Sequence, residues 1–351
     1  MLFQEITRKV VMKKFLLVYF LILTIGLSAC KGQERIYIAF WNLENLFDIV
    51  DDPTNPGDDE FLPESKSEWD ENKFDRKLSN LSKVIRSMND GNGPDVLGVC
   101  EVENRYVMEE LSKRFLKDMN FEIVHYESKD PRGIDVGLLF KKNKFKLVHS
   151  EKIHVPLKGN TRDILYTVLK FKNDTLHIFV NHWPSRRTGE LETEPKRIKA
   201  ASTLRNKVDS LFSKNIKSNI IIMGDFNDMP DNKSILVYLQ ATPFECDSLA
   251  PEYTLNLYNT AFKKYSQGIG TFLYRGNFNM LDQIIVSKAL LDKQKLDYEC
   301  ESFSVISNEL NTTRSGKFKG APYPTFGSGR YLGGYSDHFP VGVRLIYKER
   351  K

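Results

Sequence analysis

Residues 36–348 predict an α/β fold in a single domain. Short apolar β-like runs recur along the whole stretch, amphipathic helical patterns separate several of them, and no linker or internal repeat interrupts the series. Composition agrees. The chain has 351 residues, with 51 Lys plus Arg against 46 Asp plus Glu and 41% hydrophobic residues, too apolar and too evenly charged for a disordered or low-complexity protein. An aromatic share of 12% favours a β-rich or mixed fold over a plain helical bundle.

The N-terminal segment reads as an address. Met12-Lys13-Lys14 precedes the uncharged run Phe15 to Leu27, which closes on Leu27-Ser28-Ala29-Cys30. A basic start, a short apolar run and small residues before a boundary predict a secretory signal; a comfortable membrane span would need ~20 apolar residues. Leu-Ser-Ala-Cys resembles the bacterial lipobox, which implies lipidation of Cys30 as the first mature residue. The expected organisation is therefore a signal at 1–30 and one domain at 31–351. Lys31, where an inner-membrane retention signal would have Asp, points to an outer-membrane or cell-surface lipoprotein, periplasmic if not exposed. Residues 1–29 carry +3 of the formal +5, so the remainder is close to neutral at +2. That balance gives no support to a strongly basic nucleic-acid binder, and any phosphate-bearing substrate must be recognised locally.

With Cys30 acylated, only Cys100, Cys246 and Cys300 remain, and at most one disulfide can form. Cys100 lies in the apolar run Val96 to Cys100 and reads as a small core residue, while Cys246–Cys300 is a plausible pair that spacing does not establish. No Cys/His spacing of the zinc type occurs.

In chain order the strands are expected at Ile36 to Trp41, Val96 to Cys100, Val136 to Phe140, Ile164 to Phe171, Leu176 to Asn181, Ile220 to Met223, Leu281 to Ser287 and Val341 to Tyr347. Several are continuous apolar runs, as in strands buried on both faces, and the alternation with helices by itself suggests a parallel sheet. Phe74, Leu78, Leu81, Val84, Ile85 and Met88 repeat at helical spacing. A second helix is expected over 195–212, with Pro195 in its first turn and Ile198, Ala201, Leu204, Val208 and Leu211 on its apolar stripe. Between the first strand and the first helix, Asp51, Asp52, Asp58, Asp59 and Glu60 sit among Pro53, Pro56, Gly57 and Pro63. This is a loop, read as solvated and acidic; calcium is the alternative, although the spacing matches no EF-hand.

Polar residues close the apolar runs. Asn42 and Glu44 follow the first strand, Glu101 the second, Asn181 and His182 the run at 178–180, and Asp225 and Asn227 the run at 220–223. Asp282 stands at the start of its strand and Asp337-His338 just before the last one. Each alone reads as a cap, a turn or a surface residue. Together they offer oxygen ligands for a hard cation (Mg²⁺ or Mn²⁺), two imidazoles and amide donors, which strand ends in one domain can bring to a single cleft. Hydrolysis of a phosphodiester needs these parts: a positioned water, a base, positive charge on the nonbridging oxygens and help for the leaving alkoxide.

Ile38-Ala39-Phe40-Trp41-Asn42, Asp95 to Glu101, Asn181-His182-Trp183-Pro184-Ser185-Arg186, Gly224-Asp225-Phe226-Asn227, Leu281-Asp282 and Ser336-Asp337-His338 resemble the ordered motifs of the endonuclease/exonuclease/phosphatase (DNase I-like) superfamily. With Arg132 to Gly137, they are most similar to bacterial secreted nuclease-like members. The resemblance implies an α/β (α+β) four-layer sandwich, two packed, mixed, mainly antiparallel β-sheets flanked by helices. It implies Glu101, Asn42 and Asp337 as metal site, Asp225 and Asn227 positioning water and phosphate or holding a second metal, and His338 as base or phosphate-polarising imidazole oriented by Asp282. His182 is the second imidazole, with Asp135 orienting it. Arg132, Arg162, Arg186 and Arg187 are candidate phosphate contacts. Cys100 stands where the superfamily often has Gln.

The expectation is a monomeric, exported, Mg²⁺- or Mn²⁺-dependent phosphodiesterase acting on DNA or RNA, touching the membrane through its lipid anchor only. A phospholipid or sphingomyelin phosphodiesterase, or a sugar-phosphate phosphatase, shares the chemistry. A surface-binding protein without turnover is the reading from another class.

Overall fold

Alternation along the strands decides the layers. In β1 (Glu34–Leu46), Ile36, Ile38 and Phe40 face one core while Tyr37, Ala39, Trp41 and Leu43 face another. Successive side chains of a strand point to opposite faces, so an apolar run without polar interruption must be covered on both. The computed structural model describes residues 33–348; the signal segment expected at 1–30, with Cys30, lies outside the described residues.

The chain continues through β2 (Val96–Val102), β3 (Phe121–His125), β4 (Asp135–Lys141), β5 (Lys146–Ile153), β6 (Ile164–Phe171), β7 (Asp174–His182) and β8 (Asn219–Asp225). After these come β9 (Ala241–Thr242), β10 (Leu257–Asn259), the hairpin β11 (Phe272–Tyr274) and β12 (Asn277–Asn279), and β13 (Asp282–Ser287). The C-terminal part holds β14 (Leu296–Tyr298), β15 (Ser304–Val305), the hairpin β16 (Phe326–Gly327) and β17 (Arg330–Tyr331), and β18 (Val341–Tyr347). One seven-stranded sheet has the order β14-β18-β1-β2-β4-β3 with β15 on β18; the other runs β5-β6-β7-β8-β13-β10-β9.

The parallel sheet suggested by alternation alone is not what forms. β1–β2, β7–β8 and β9–β10 are parallel, whereas β2–β4, β3–β4, β5–β6, β6–β7, β8–β13, β10–β13 and β14–β18 are antiparallel. The pairs β3–β4, β5–β6 and β6–β7 join consecutive strands by short returns, which force the antiparallel direction. The parallel pairs β1–β2 and β7–β8 are each joined by a crossover that contains a helix; the remaining antiparallel pairs bring together strands distant in the chain.

Two helices complete the layers. Helix α1 (Glu71–Ser87) is capped by Asp70, whose carboxylate accepts the Lys73 N–H at 2.9 Å, and lays Phe74, Leu78, Leu81 and Ile85 on the outer face of the first sheet. The short α2 (Arg105–Glu110) follows β2. Helix α3 (Glu190–Lys214) covers the second sheet with Ala201, Leu204 and Val208; the short α4 (Phe262–Ser266) follows β10. Helix α3 begins five residues before the predicted Pro195. The missing N–H of that proline deprives only the carbonyl of Leu191, a residue 77% exposed, so the early turn survives. Between the sheets Phe40, Val96, Leu138, Leu169, Ile178, Ile221, Met223 and Ile284 form the central core. Cys246 and Cys300 form the disulfide, with Cα atoms 6.2 Å apart, and Cys100 is a buried free thiol.

Candidate active site

The same alternation aims four polar side chains inward at one end of the sandwich. Asn42 continues the inner face of β1 after Ile38 and Phe40, His182 that of β7 after Ile178 and Val180, and Asp225 that of β8 after Ile221 and Met223. Asp282 opens the inner face of β13 ahead of Ile284 and Val286. Register then aligns three of them. His182 pairs with Asp225 across the parallel β7–β8 ladder, and Asp282 pairs with Asp225 across the antiparallel β8–β13 ladder. The close approach is possible because residue 224 is glycine; a Cβ there would lie 2.4 Å from the carbonyl oxygen of Asn181.

Glu101 arrives differently. Cys100 faces the central core and Val102 the outer one, so a bulge between them absorbs a position, and Glu101 takes φ +57°. A bulge of this kind re-aims a side chain at the end of a strand. One carboxylate oxygen accepts the Asn45 N–H at 3.0 Å. The other lies 3.5 Å from Arg132 Nη1 and 3.9 Å from His182 Nε2.

Hydrogen bonds tie the two sheets together here. Asn42 donates from Nδ2 to Asp225 Oδ2 at 3.1 Å, and the Trp41 indole donates to the carbonyl of His338 at 2.9 Å. His338 Nδ1 lies 2.7 Å from Asp282 Oδ2, its Nε2 is 3.9 Å from Asp225, and the Phe272 ring stacks on it with centroids 4.7 Å apart. Asn227 donates from its backbone N–H to Asp225 Oδ1 at 2.9 Å and from Nδ2 to the carbonyl of Trp183 at 3.0 Å.

The two imidazoles are driven apart in charge. Burial opposes the charge of His338, but Asp282, Asp337 and Asp225 outweigh it and hold the ring well above its ordinary value, protonated. His182 is pushed well below its ordinary value by burial, then by Arg162, Arg132 and His338, so it is neutral; its Nδ1 is buried without a hydrogen-bond partner. Burial, assisted by Asp282 and opposed by His338, raises Asp225 to about 6. Burial and Glu101 likewise raise Asp337 to about 6. Glu101 stays below its ordinary value because Arg132, His338 and Arg162 overcome its burial.

Of the residues expected from sequence, Asn42, Glu101, His182, Asp225, Asn227, Asp282, Asp337 and His338 fall in this one electrostatically linked group. Arg132 borders it. Arg162 is buried and committed to Asp130 at 2.8 Å and to the carbonyl of Trp183 at 2.7 Å, so it acts on His182 and Glu101 through its charge. Arg186 is tied to Asn279 at 2.6 Å and to Glu190 at 3.4 Å. Asp135 does not orient His182. Its Oδ2 lies 3.3 Å from His125 Nε2 and its Oδ1 accepts the Ser128 N–H, because β4 pairs with β3, the strand that ends in His125.

Two residues, Lys77 and Asn45, were not foreseen, and Glu44 was singled out only as a polar residue closing the first strand. Buried Lys77 lies beneath the site, 3.9 Å from Glu44; burial lowers it to about 8 against the pull of Glu44, Asp337 and Glu101. Glu44 is raised to about 7, by burial and then by Asp337, and accepts the N–H groups of Thr325 and Phe326. Asn45 holds Glu101. The signal for Lys77 was its position on the apolar stripe of α1, next to Phe74 and Leu78, where a solvated lysine does not belong.

Crowded carboxylates with few cations, and a neutral imidazole whose Nδ1 is left without a hydrogen-bond partner, fit a divalent cation; ligand atoms cluster here in Asp225, Asp282 and His338, and in Asp225, His182 and the Cys100 thiol. Two packed mixed sheets with such a group between their strand ends define a class of protein, the phosphate-ester hydrolases of DNase I-like architecture. The model of the Endonuclease/Exonuclease/phosphatase family matches residues 37–347. The chain belongs to that family.

Solved structures share the fold at low identity. The human Nocturnin catalytic domain with bound sulfate is 17% identical, over 90% of this chain and 95% of that one, with a TM-score of 0.52. D. rerio TDP2 complexed with single-strand DNA product is 14% identical, over 89% and 99%, at 0.53. An endonuclease/exonuclease/phosphatase family protein from Bacteroides thetaiotaomicron is 15% identical, over 91% and 100%, at 0.53. No curated protein matches the chain.

Proposed function

We propose that the chain is an exported, magnesium-dependent phosphodiesterase that cleaves nucleic acid. One observation carries the chemistry: a buried carboxylate, Asp225, lies between a protonated and a neutral imidazole, 3.9 Å from His338 and 3.8 Å from His182. Asp225, raised towards neutrality, accepts a proton from the attacking water, and Asn227 and Asn42 fix its orientation. The His338 imidazolium, held by Asp282, stabilises charge on a nonbridging oxygen as the P–O bond to the leaving group breaks. Neutral His182 hydrogen-bonds the departing oxygen, which takes up a proton from solvent water while Asp225 returns to solvent the proton it accepted, so the proton balance closes. A divalent ion held by Glu101, Asp337 and Asn42 would supply Lewis-acid charge at the phosphate.

The polymer reading is supported by a cavity of about 250 Å³ beside the site, shared by Arg132 and Arg162 and lined further by Lys158, Arg187 and Lys196. These positive groups suit a neighbouring backbone phosphate. Export is supported by the sequence at 12–30. The test is cleavage of plasmid, single-stranded DNA and RNA by the purified protein with Mg²⁺ and then EDTA. Metal-dependent cutting of any of the three is expected; no cleavage of all three rejects the nuclease reading.

A further inference from the structure

We infer that the loop after β1 holds a calcium ion, separate from the catalytic group, through Asp51, Asp58 and Asp59. Carboxylate oxygens of these three residues lie within 4.8 Å of one another, and among the described residues no basic side chain pairs with any of them. Asp58 is the second, independent sign. It is only 2% exposed; its Oδ2 accepts the Asp52 N–H at 2.8 Å, while its Oδ1 is buried and has no hydrogen-bond partner. A buried carboxylate oxygen without a hydrogen-bond partner, on a residue clustered with two other carboxylates, is a strong attractor for a cation. Burial and the charges of Asp51 and Asp59 raise the Asp58 carboxyl above its ordinary value, and a bound cation relieves all of them.

Oxygen-only donors exclude a soft metal. Three carboxylates on an irregular loop suit the large and flexible coordination of calcium, whereas magnesium takes one or two carboxylates and keeps its waters. The loop also bears on the active site. A Cβ on Gly57 would lie 2.4 Å from the backbone of Arg132, and one on Gly133 would run into the Asn55 side chain, so the loop rests directly on Arg132-Gly133. Arg132 in turn reaches Glu101 at 3.5 Å. Calcium on the loop therefore braces the arginine nearest the catalytic glutamate. This inference does not depend on the substrate, because its readout is binding.

Equilibrium dialysis of radioactive calcium against the full chain in excess Mg²⁺, with thermal unfolding in parallel, tests it. One ion per chain and a raised unfolding midpoint are expected. Both should persist in Glu101→Gln, and Asp58→Asn should weaken binding by roughly tenfold or more. Asp51→Asn/Asp59→Asn, two exposed positions that leave the fold intact, should do the same if Asp58→Asn does not fold. No retained calcium, displacement by Mg²⁺, or loss in Glu101→Gln with the loop variants unaffected would overturn the assignment.

Discussion

Replacing Asp282 by Asn probes the charge that holds His338. The carboxylate is fully buried, and its Oδ2 is 2.7 Å from Nδ1 of an imidazole that is 6% exposed. At an effective dielectric of about 20, unit charges at that separation interact by about 6 kcal/mol, which is the ceiling. The amide keeps a hydrogen bond but not the charge, and a charge-assisted bond is roughly twice as strong as a neutral one, so about 3 kcal/mol should go. At 1.36 kcal/mol per tenfold, kcat should fall about a hundredfold, with ~10⁴ as the limit. The assay is steady-state hydrolysis of bis(p-nitrophenyl) phosphate at saturating Mg²⁺, with the unfolding midpoint and Mg²⁺ affinity measured on the same preparations. Both of the latter should hold, since Asp282 contacts the ring and is not among the expected metal donors. A loss below tenfold in a folded, metal-binding variant would refute the role given to this pair.

Arg197→Met should destabilise the protein by about 3–5 kcal/mol, because it strands Asp228, whose Oδ1 lies 2.6 Å from Arg197 Nε with both residues buried; Arg197→Met/Asp228→Leu should recover most of the loss in urea unfolding. His177 is held at about 4 by burial and by Lys207, below the ordinary 6.5, so its contribution to stability is complete above pH 6.5 and disappears as pH falls towards 4. Between pH 7.5 and 4.5, His177→Gln should lose about 2 kcal/mol less stability than the parent; identical losses would contradict the burial argument. Opening the Cys246–Cys300 loop, 54 residues long, by a double serine substitution should cost about 4 kcal/mol in denaturant unfolding under oxidising conditions, with no difference between the proteins once reductant is present.

Much of the site was legible because a strand's period is two. Phe40 and Asn42, Val180 and His182, and Met223 and Asp225 each share a face, so a polar residue two positions beyond a core residue points where the core points. The helices were legible from their stripes, as with Phe74, Leu78, Leu81 and Ile85, and the start of α3 was misplaced because Pro195 looks like an opening position while being tolerated in a turn open to solvent. Asp135 was assigned to His182 from a motif; its actual partner, His125, is remote from any motif and is supplied by strand pairing.

The sequence alone determined which residues face inward and which chemistry stands at the strand ends, since both follow from local periodicity and residue type. Tertiary structure decided the rest. The left-handed turn at Glu101 depends on the ladder between β2 and β4, the row His182–Asp225–Asp282 on the register of three strands, and Lys77 beneath the site on the docking of α1. These are relations between distant segments, and no local period encodes them. The charge of each imidazole is settled by the same packing, because burial and neighbouring carboxylates act through space: His338 keeps its proton and His182 gives its own up.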